Sequence, residues 1–87
     1  MYSRGMENLG YITTIRMSPE GAEACIEKFE GWEGTRHLTT VEGDPRHLVI
    51  WHVPNETVAA GLILSAGGWY DDLVWGDYAI IPNRRSA

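Results

Sequence analysis

The sequence TRHLTTVEGDPRHLVIWHV, residues 35–53, contains two runs of β-branched and aromatic residues around a central turn. We expect strands over 35–41 and 46–53, because such residues favour pleated, half-buried surfaces. The glycine, aspartate and proline of the intervening EGDP are typical turn residues. The stretch therefore predicts an antiparallel hairpin in the middle of the chain.

A predicted helix lies on each side of this hairpin. In the first, Ser18 can act as the N-cap and Pro19 fits the first turn. Its apolar residues fall at i, i+3, i+4 and i+7, which predicts one buried stripe of Ala22, Cys25, Ile26 and Phe29. The second helix follows Pro54 with Asn55 as its cap, and helical spacing extends it through Val58, Leu62, Ala66 and Trp69. We expect its end to fray near Gly67, since glycine weakens a helix.

Two outer strands complete the pattern, YITTIRM at 11–17 and VWGDYAII at 74–81, the second ending at Pro82. The order strand, helix, strand, strand, helix, strand predicts an α+β fold, the ferredoxin-like βαββαβ sandwich. This fold has a four-stranded antiparallel sheet with two helices on one face. The 87 residues are enough for one domain, which we place at 10–82, between a flexible leader at 1–9 and a polar tail at 83–87.

Composition restricts the partners and the location of the chain. Twelve acidic and seven basic residues give a net charge of −5, which disfavours a nucleic-acid partner. The longest apolar run, at 58–66, is far shorter than the roughly 20 residues that span a bilayer. The first ten residues do not resemble a secretory signal, and the lone Cys25 excludes an intrachain disulfide. We therefore predict a cytoplasmic protein without nucleic-acid or membrane partners.

The third and fourth predicted strands are apolar on both faces. In the third, Leu48 and Ile50 alternate with Val49 and Trp51. A sheet face that meets water should instead be polar at alternate positions. Because the chain has no further element to cover the second face, we predict a homodimer whose sheets pack face to face.

This pattern resembles the dimeric α/β-barrel superfamily, which includes muconolactone isomerase-like proteins and antibiotic-biosynthesis monooxygenases. WYDDL at 69–73 and YAIIP at 78–82 are similar to elements of an uncharacterised small family in that superfamily. The resemblance implies dimerisation as an α/β barrel and cofactor-free oxygenase or isomerase activity. It also implies that Trp69 with Tyr70 or Tyr78 would hold a phenolic substrate. Haem-degrading relatives need a histidine after the second helix, and no histidine follows His52, so no haem is predicted.

Two histidines are candidates for a catalytic proton acceptor. With a turn of two or four residues, the numbers of paired residues sum to 87, which places His37 opposite Ile50 and His52 opposite Thr35. In that register His37 and His52 share a face at roughly 7–8 Å between backbones. The alternative is a hydrogen-bonded pair at a sheet edge or dimer seam. His47 points to the other face, and no metal-ligand spacing occurs, so no metal is predicted.

Aromatic residues are the candidates for ligand binding: Trp51, Trp69, Tyr70 and Tyr78. Their apolar bodies and polar tips suit a flat aromatic ligand, and they suit an oligomer interface equally well. We expect binding, and cofactor-free turnover, of a small aromatic or apolar metabolite between the helices and the sheet. The alternative is a non-catalytic oligomerisation module whose aromatic residues are used in the dimer interface.

Overall fold

The computed structural model describes residues 6–70 and 78–86, and the side chains within 9–66 and 78–83. The elements in chain order are β1 (Met6–Met17), α1 (Pro19–Phe29), a 3₁₀ turn (Trp32–Gly34), β2 (Arg36–Val41), β3 (His47–Val53), α2 (Glu56–Tyr70) and β4 (Tyr78–Ser86). The strands form one antiparallel sheet in the order β2-β3-β1-β4. This arrangement confirms the predicted α+β, ferredoxin-like fold.

Both helices begin at the predicted caps. The Ser18 hydroxyl accepts a hydrogen bond of 3.1 Å from the Gly21 amide, and Pro19 is the first residue of α1. The Asn55 side-chain oxygen accepts a bond of 2.9 Å from the Val58 amide at the start of α2. These bonds satisfy amides that the first turn of a helix leaves without a backbone partner. The backbone of α2 continues to Tyr70, so Trp69 belongs to this helix, as its spacing predicts.

One face of the sheet packs against both helices and forms the core. Alternate residues of β1 and β3 on this face are buried: Thr13, Ile15, Met17, Val49, Trp51 and Val53. The helices contribute Ala22, Cys25, Phe29, Ala59, Leu62, Ile63 and Ala66 to the same buried region. Both helices therefore lie on one face, as predicted, and we call the other side of the sheet the open face.

The outer strands are longer than predicted. β1 begins at Met6, within the expected leader, and β4 continues to Ser86, through the expected tail, so that Met6 pairs with Ser86. The prediction that Pro82 ends the last strand is wrong. β4 is an edge strand, and an edge strand tolerates the missing amide hydrogen of proline. The predicted first part of this strand, 74–77, lies outside the described residues.

The central hairpin forms, but its register differs from the prediction. The loop between β2 and β3 comprises residues 42–46, and Val41 pairs with Leu48. One further residue is inserted between His37 and Thr39, so that His37 pairs with Trp51. Successive side chains of a strand point to opposite faces. A register that differs by one residue from the prediction therefore places His37 on the other face.

Candidate functional site

His37 and His52 lie on opposite faces of the sheet. His37 is on the helix-facing side, where its ring meets the Trp51 ring edge-on at a centroid distance of 5.5 Å. Its Nε2 atom lies 2.8 Å from the Thr40 hydroxyl. His52 pairs with Arg36 and points to the open face. The prediction that the two histidines share a face is therefore wrong, because the residue inserted between His37 and Thr39 changes the register by one.

The hydrogen bond of His52 also restricts its chemistry. Its Nε2 atom lies 2.7 Å from the backbone oxygen of Leu9. A carbonyl oxygen only accepts hydrogen bonds, so this nitrogen carries a hydrogen and donates it. A neutral His52 could then accept a proton only at Nδ1. A catalytic role for either histidine, each on its own face, stays a prediction.

Trp51 and Tyr78 share the helix-facing side of the sheet. Trp51 is fully buried, and Tyr78 pairs with Ile15 and is half-buried against the core. Trp69 and Tyr70 are the last two residues of α2, and their side chains lie outside the described residues, as does the whole segment 71–77. Ligand binding by these four aromatic residues stays a prediction.

A solvent-open groove of about 440 Å³ lies between the 3₁₀ turn and the first half of α2. The described residues that line it are Trp32, Glu33, Asn55, Thr57, Val58 and Gly61. We call it the Trp32 groove. Its volume falls within the roughly 300–1,000 Å³ of small-molecule sites. Of the four predicted ligand-binding aromatic residues, the two whose side chains are described, Trp51 and Tyr78, do not line this wall.

The turn that carries Trp32 and Glu33 has an unusual backbone. Gly31, Glu33 and Gly34 have φ values of 85°, 51° and 82°. Glycine adopts such values freely, whereas a residue with a side chain rarely does. Two hydrogen bonds of 2.8 Å close the turn, from the Gly31 amide to Thr35 and from the Thr35 amide to the carbonyl oxygen of Trp32. The turn thereby holds Trp32 and Glu33 at the edge of the groove.

The indole of Trp32 packs between the two helices. It meets the ring of Phe29 at 5.7 Å with an angle of 79° between the planes. On α2, a Cβ atom placed on Gly61 would lie 3.1 Å from Cη2 of this indole. The absence of a side chain at Gly61 therefore lets the ring approach the helix backbone and leaves room beside it.

The sequence analysis missed Trp32 because this residue follows the last turn of α1 and belongs to no periodic pattern. The available signal was GWEG at 31–34, in which an aromatic and an acidic residue stand between two glycines. Paired glycines of this kind mark a tight turn. A tryptophan in a turn, outside a helix or strand, is a candidate binding residue, because loops often carry function.

The other reactive groups of the described residues do not form a second site. Cys25 is buried, and burial raises the pKa of its thiol to about 11, so the thiol stays protonated at neutral pH and is a poor nucleophile. No group of three or more potential metal-ligating side chains occurs within the described ranges 6–70 and 78–86. Within these same ranges, no helix is long and apolar enough to cross a membrane.

Comparisons with protein-family models, with curated proteins and with solved structures find no match to this chain. The resemblance to the dimeric α/β barrels therefore stays a prediction.

Proposed function

We propose that this chain is a homodimeric protein that binds a small aromatic or apolar molecule in the Trp32 groove. The observation that carries the proposal is the groove itself, which has the volume of a ligand site and a tryptophan in its wall. Trp32 and Val58 supply apolar surface, and Thr57 and Asn55 supply polar atoms that can orient a ligand. Small-molecule sites have this composition, a mostly apolar wall with a few placed polar groups.

Two variants that act in different ways test binding in the groove. The neutral ligand benzyl alcohol is titrated while tryptophan fluorescence is excited at about 295 nm, where this ligand does not absorb. We expect saturable binding with a dissociation constant on the order of 1 mM, since the ligand has few atoms. Gly61→Ala adds a methyl group to the groove and should weaken binding at least about 5-fold, while the alanine itself favours the helix.

Trp32→Leu removes the aromatic wall and should abolish the fluorescence response. Ser65→Ala is the matched control, because Ser65 is an exposed residue of α2 that does not line the groove. Its affinity should equal that of the unmodified chain. Equal affinities for the unmodified chain and for Gly61→Ala would contradict binding in the groove.

Self-association is supported by the composition of the open face. Ile12 pairs with Ile81, and both side chains point to the open face. Ile50, Leu48 and Ala79 point to the same face and extend its apolar surface. Ile81 is 50% exposed, and Val41 at the outer strand is 53% exposed. A second copy of the same face would remove these side chains from water, which is the dominant driving force of protein association.

The size of the open face agrees with a small specific interface. Four strands about 4.8 Å apart and about seven residues long cover roughly 450 Å². Two such faces together present roughly 900 Å², just below the ~1,000 Å² expected of a stable interface and within the range of small, weak associations. Hence we propose that two copies pack through their open faces, and the groove, which lies on the helix side of the sheet, stays accessible in the dimer.

The variant Ile81→Glu tests this interface. In a symmetric dimer the substitution introduces two carboxylates into the apolar contact, and we expect the dimer dissociation constant to rise about 100-fold. Leu64→Glu is the matched control, since Leu64 is 73% exposed on α2 and points away from the sheet. Sedimentation velocity over a range of concentrations measures the dimer dissociation constant of each variant. An equal effect of the two variants, or a monomeric unmodified chain, would contradict the open-face dimer.

A further inference from the structure

The Trp32 groove has an acidic character that points to the charge of its ligand. Glu33 is the charged residue among the six described wall residues, and none of the six is basic. The neighbouring first turn of α2 adds a second acid, Glu56, whose carboxylate accepts a hydrogen bond of 3.2 Å from the Tyr11 hydroxyl. An anionic ligand would therefore meet like charge at the mouth of the groove, in a chain that already carries a net charge of −5.

The aromatic wall of the groove also favours a positively charged ligand. The face of a tryptophan ring attracts cations within about 6 Å of its centroid, and tryptophan does so more strongly than the other aromatic residues. Trp32 and Glu33 are adjacent in the chain and both belong to the wall. A cation in the groove can therefore meet the indole and the carboxylate together.

The amino-terminal end of α2 is the feature that opposes a cation, because a helix carries a partial positive charge there. This charge is reduced in two ways. The side chain of Asn55 accepts a hydrogen bond from the Val58 amide, and Glu56 in the first turn supplies a compensating negative charge. The full charge of Glu33 then outweighs the partial charge of the helix end.

We infer that the ligand of the Trp32 groove is a small organic cation, an ammonium group attached to an aromatic or apolar body. The apolar body lies against Trp32 and Val58, and the ammonium group lies beside Glu33. This inference rests on the proposed function, since it names the chemical class of the molecule that the groove binds.

Two nearly isosteric ligands test the inference. Benzylamine is protonated at pH 7 and differs from benzyl alcohol chiefly in its charge. Calorimetric titration of both into the intact chain at low salt should show that benzylamine binds about 5- to 10-fold more tightly. Screening by 0.5 M NaCl should reduce this ratio to about 2 or less, because the Debye length falls below about 5 Å.

Glu33→Gln should weaken the binding of benzylamine and so bring the two affinities to within about 2-fold of each other. Glu23→Gln is the matched control, because it removes the same charge from an exposed position of α1 and should retain the preference. Equal binding of the two ligands to the unmodified chain would overturn the cation inference and leave the proposed function intact. Binding of neither ligand would overturn both.

Discussion

Replacing Trp51 by alanine is expected to lower the free energy of unfolding by about 4 kcal/mol. Trp51 is fully buried in β3, at the centre of the face that meets both helices. Removal of a buried tryptophan side chain typically costs about 3–5 kcal/mol, because apolar contacts are lost and a cavity remains. A domain of this length has a total stability of about 4–13 kcal/mol, so this loss is a large fraction of the whole. Urea titration followed by far-ultraviolet circular dichroism, at fixed chain concentration, measures the change.

Trp51→Phe separates packing from hydrogen bonding at this position. The indole Nε1 atom has no hydrogen-bond partner within the part of the chain that the structure describes. Phenylalanine should therefore lose volume but no hydrogen bond to the described residues, and we expect a cost of about 1–2 kcal/mol. Equal destabilisation by alanine and phenylalanine would contradict this account, since it would show that the polar tip matters more than the ring.

Replacing Gly10 by alanine is the second change with a large expected effect. Gly10 has a φ of 95° at the point where the pairing of β1 with β4 shifts register. A Cβ atom there would lie 2.7 Å from the Val53 oxygen and 2.8 Å from Nε2 of His52. The backbone strain and the contact with a main-chain oxygen together should cost about 3 kcal/mol. The same urea titration measures this loss of stability.

Gly31→Ala is the matched control that measures the backbone strain without the close contacts. Gly31 has a φ of 85°, but a Cβ atom there would meet nothing within 4 Å. Gly31→Ala should lower the free energy of unfolding by about 1 kcal/mol, the cost of placing alanine in the left-handed conformation. If both alanine variants were equally stable, the close contacts at Gly10 would not contribute, and the proposed role of the bulge would be wrong.

The fold could be predicted because its signals are local. Ser18 and Asn55 are helix caps defined by their own side chains, and the stripe of α1 follows from helical spacing alone. The lengths of β1 and β4 could not be predicted, because glycine and proline, here Gly10 and Pro82, usually interrupt strands. A bulge accommodates the glycine and an edge position accommodates the proline, and both depend on which strands become neighbours.

The site was less predictable than the fold, because it depends on register and on loop geometry. A single inserted residue in β2 moves His37 from the open face to the side of Trp51, and no residue type in RHLTTV marks the insertion. The groove is formed by two segments distant in sequence, the turn at Trp32 and the start of α2. Their proximity follows from the packing of the helices, which the sequence pattern does not specify.

The location of a bound ligand is the most direct test of the proposed function. Benzyl alcohol titrated into ¹⁵N-labelled chain changes the chemical shifts of the residues that it contacts, and a two-dimensional ¹H–¹⁵N spectrum identifies them. We predict the largest changes at the indole N–H of Trp32 and at the amides of Thr57, Val58 and Gly61, with little change at Trp51. Changes concentrated at Trp51, or at Ile50 and Ile81 on the open face, would contradict binding in the Trp32 groove.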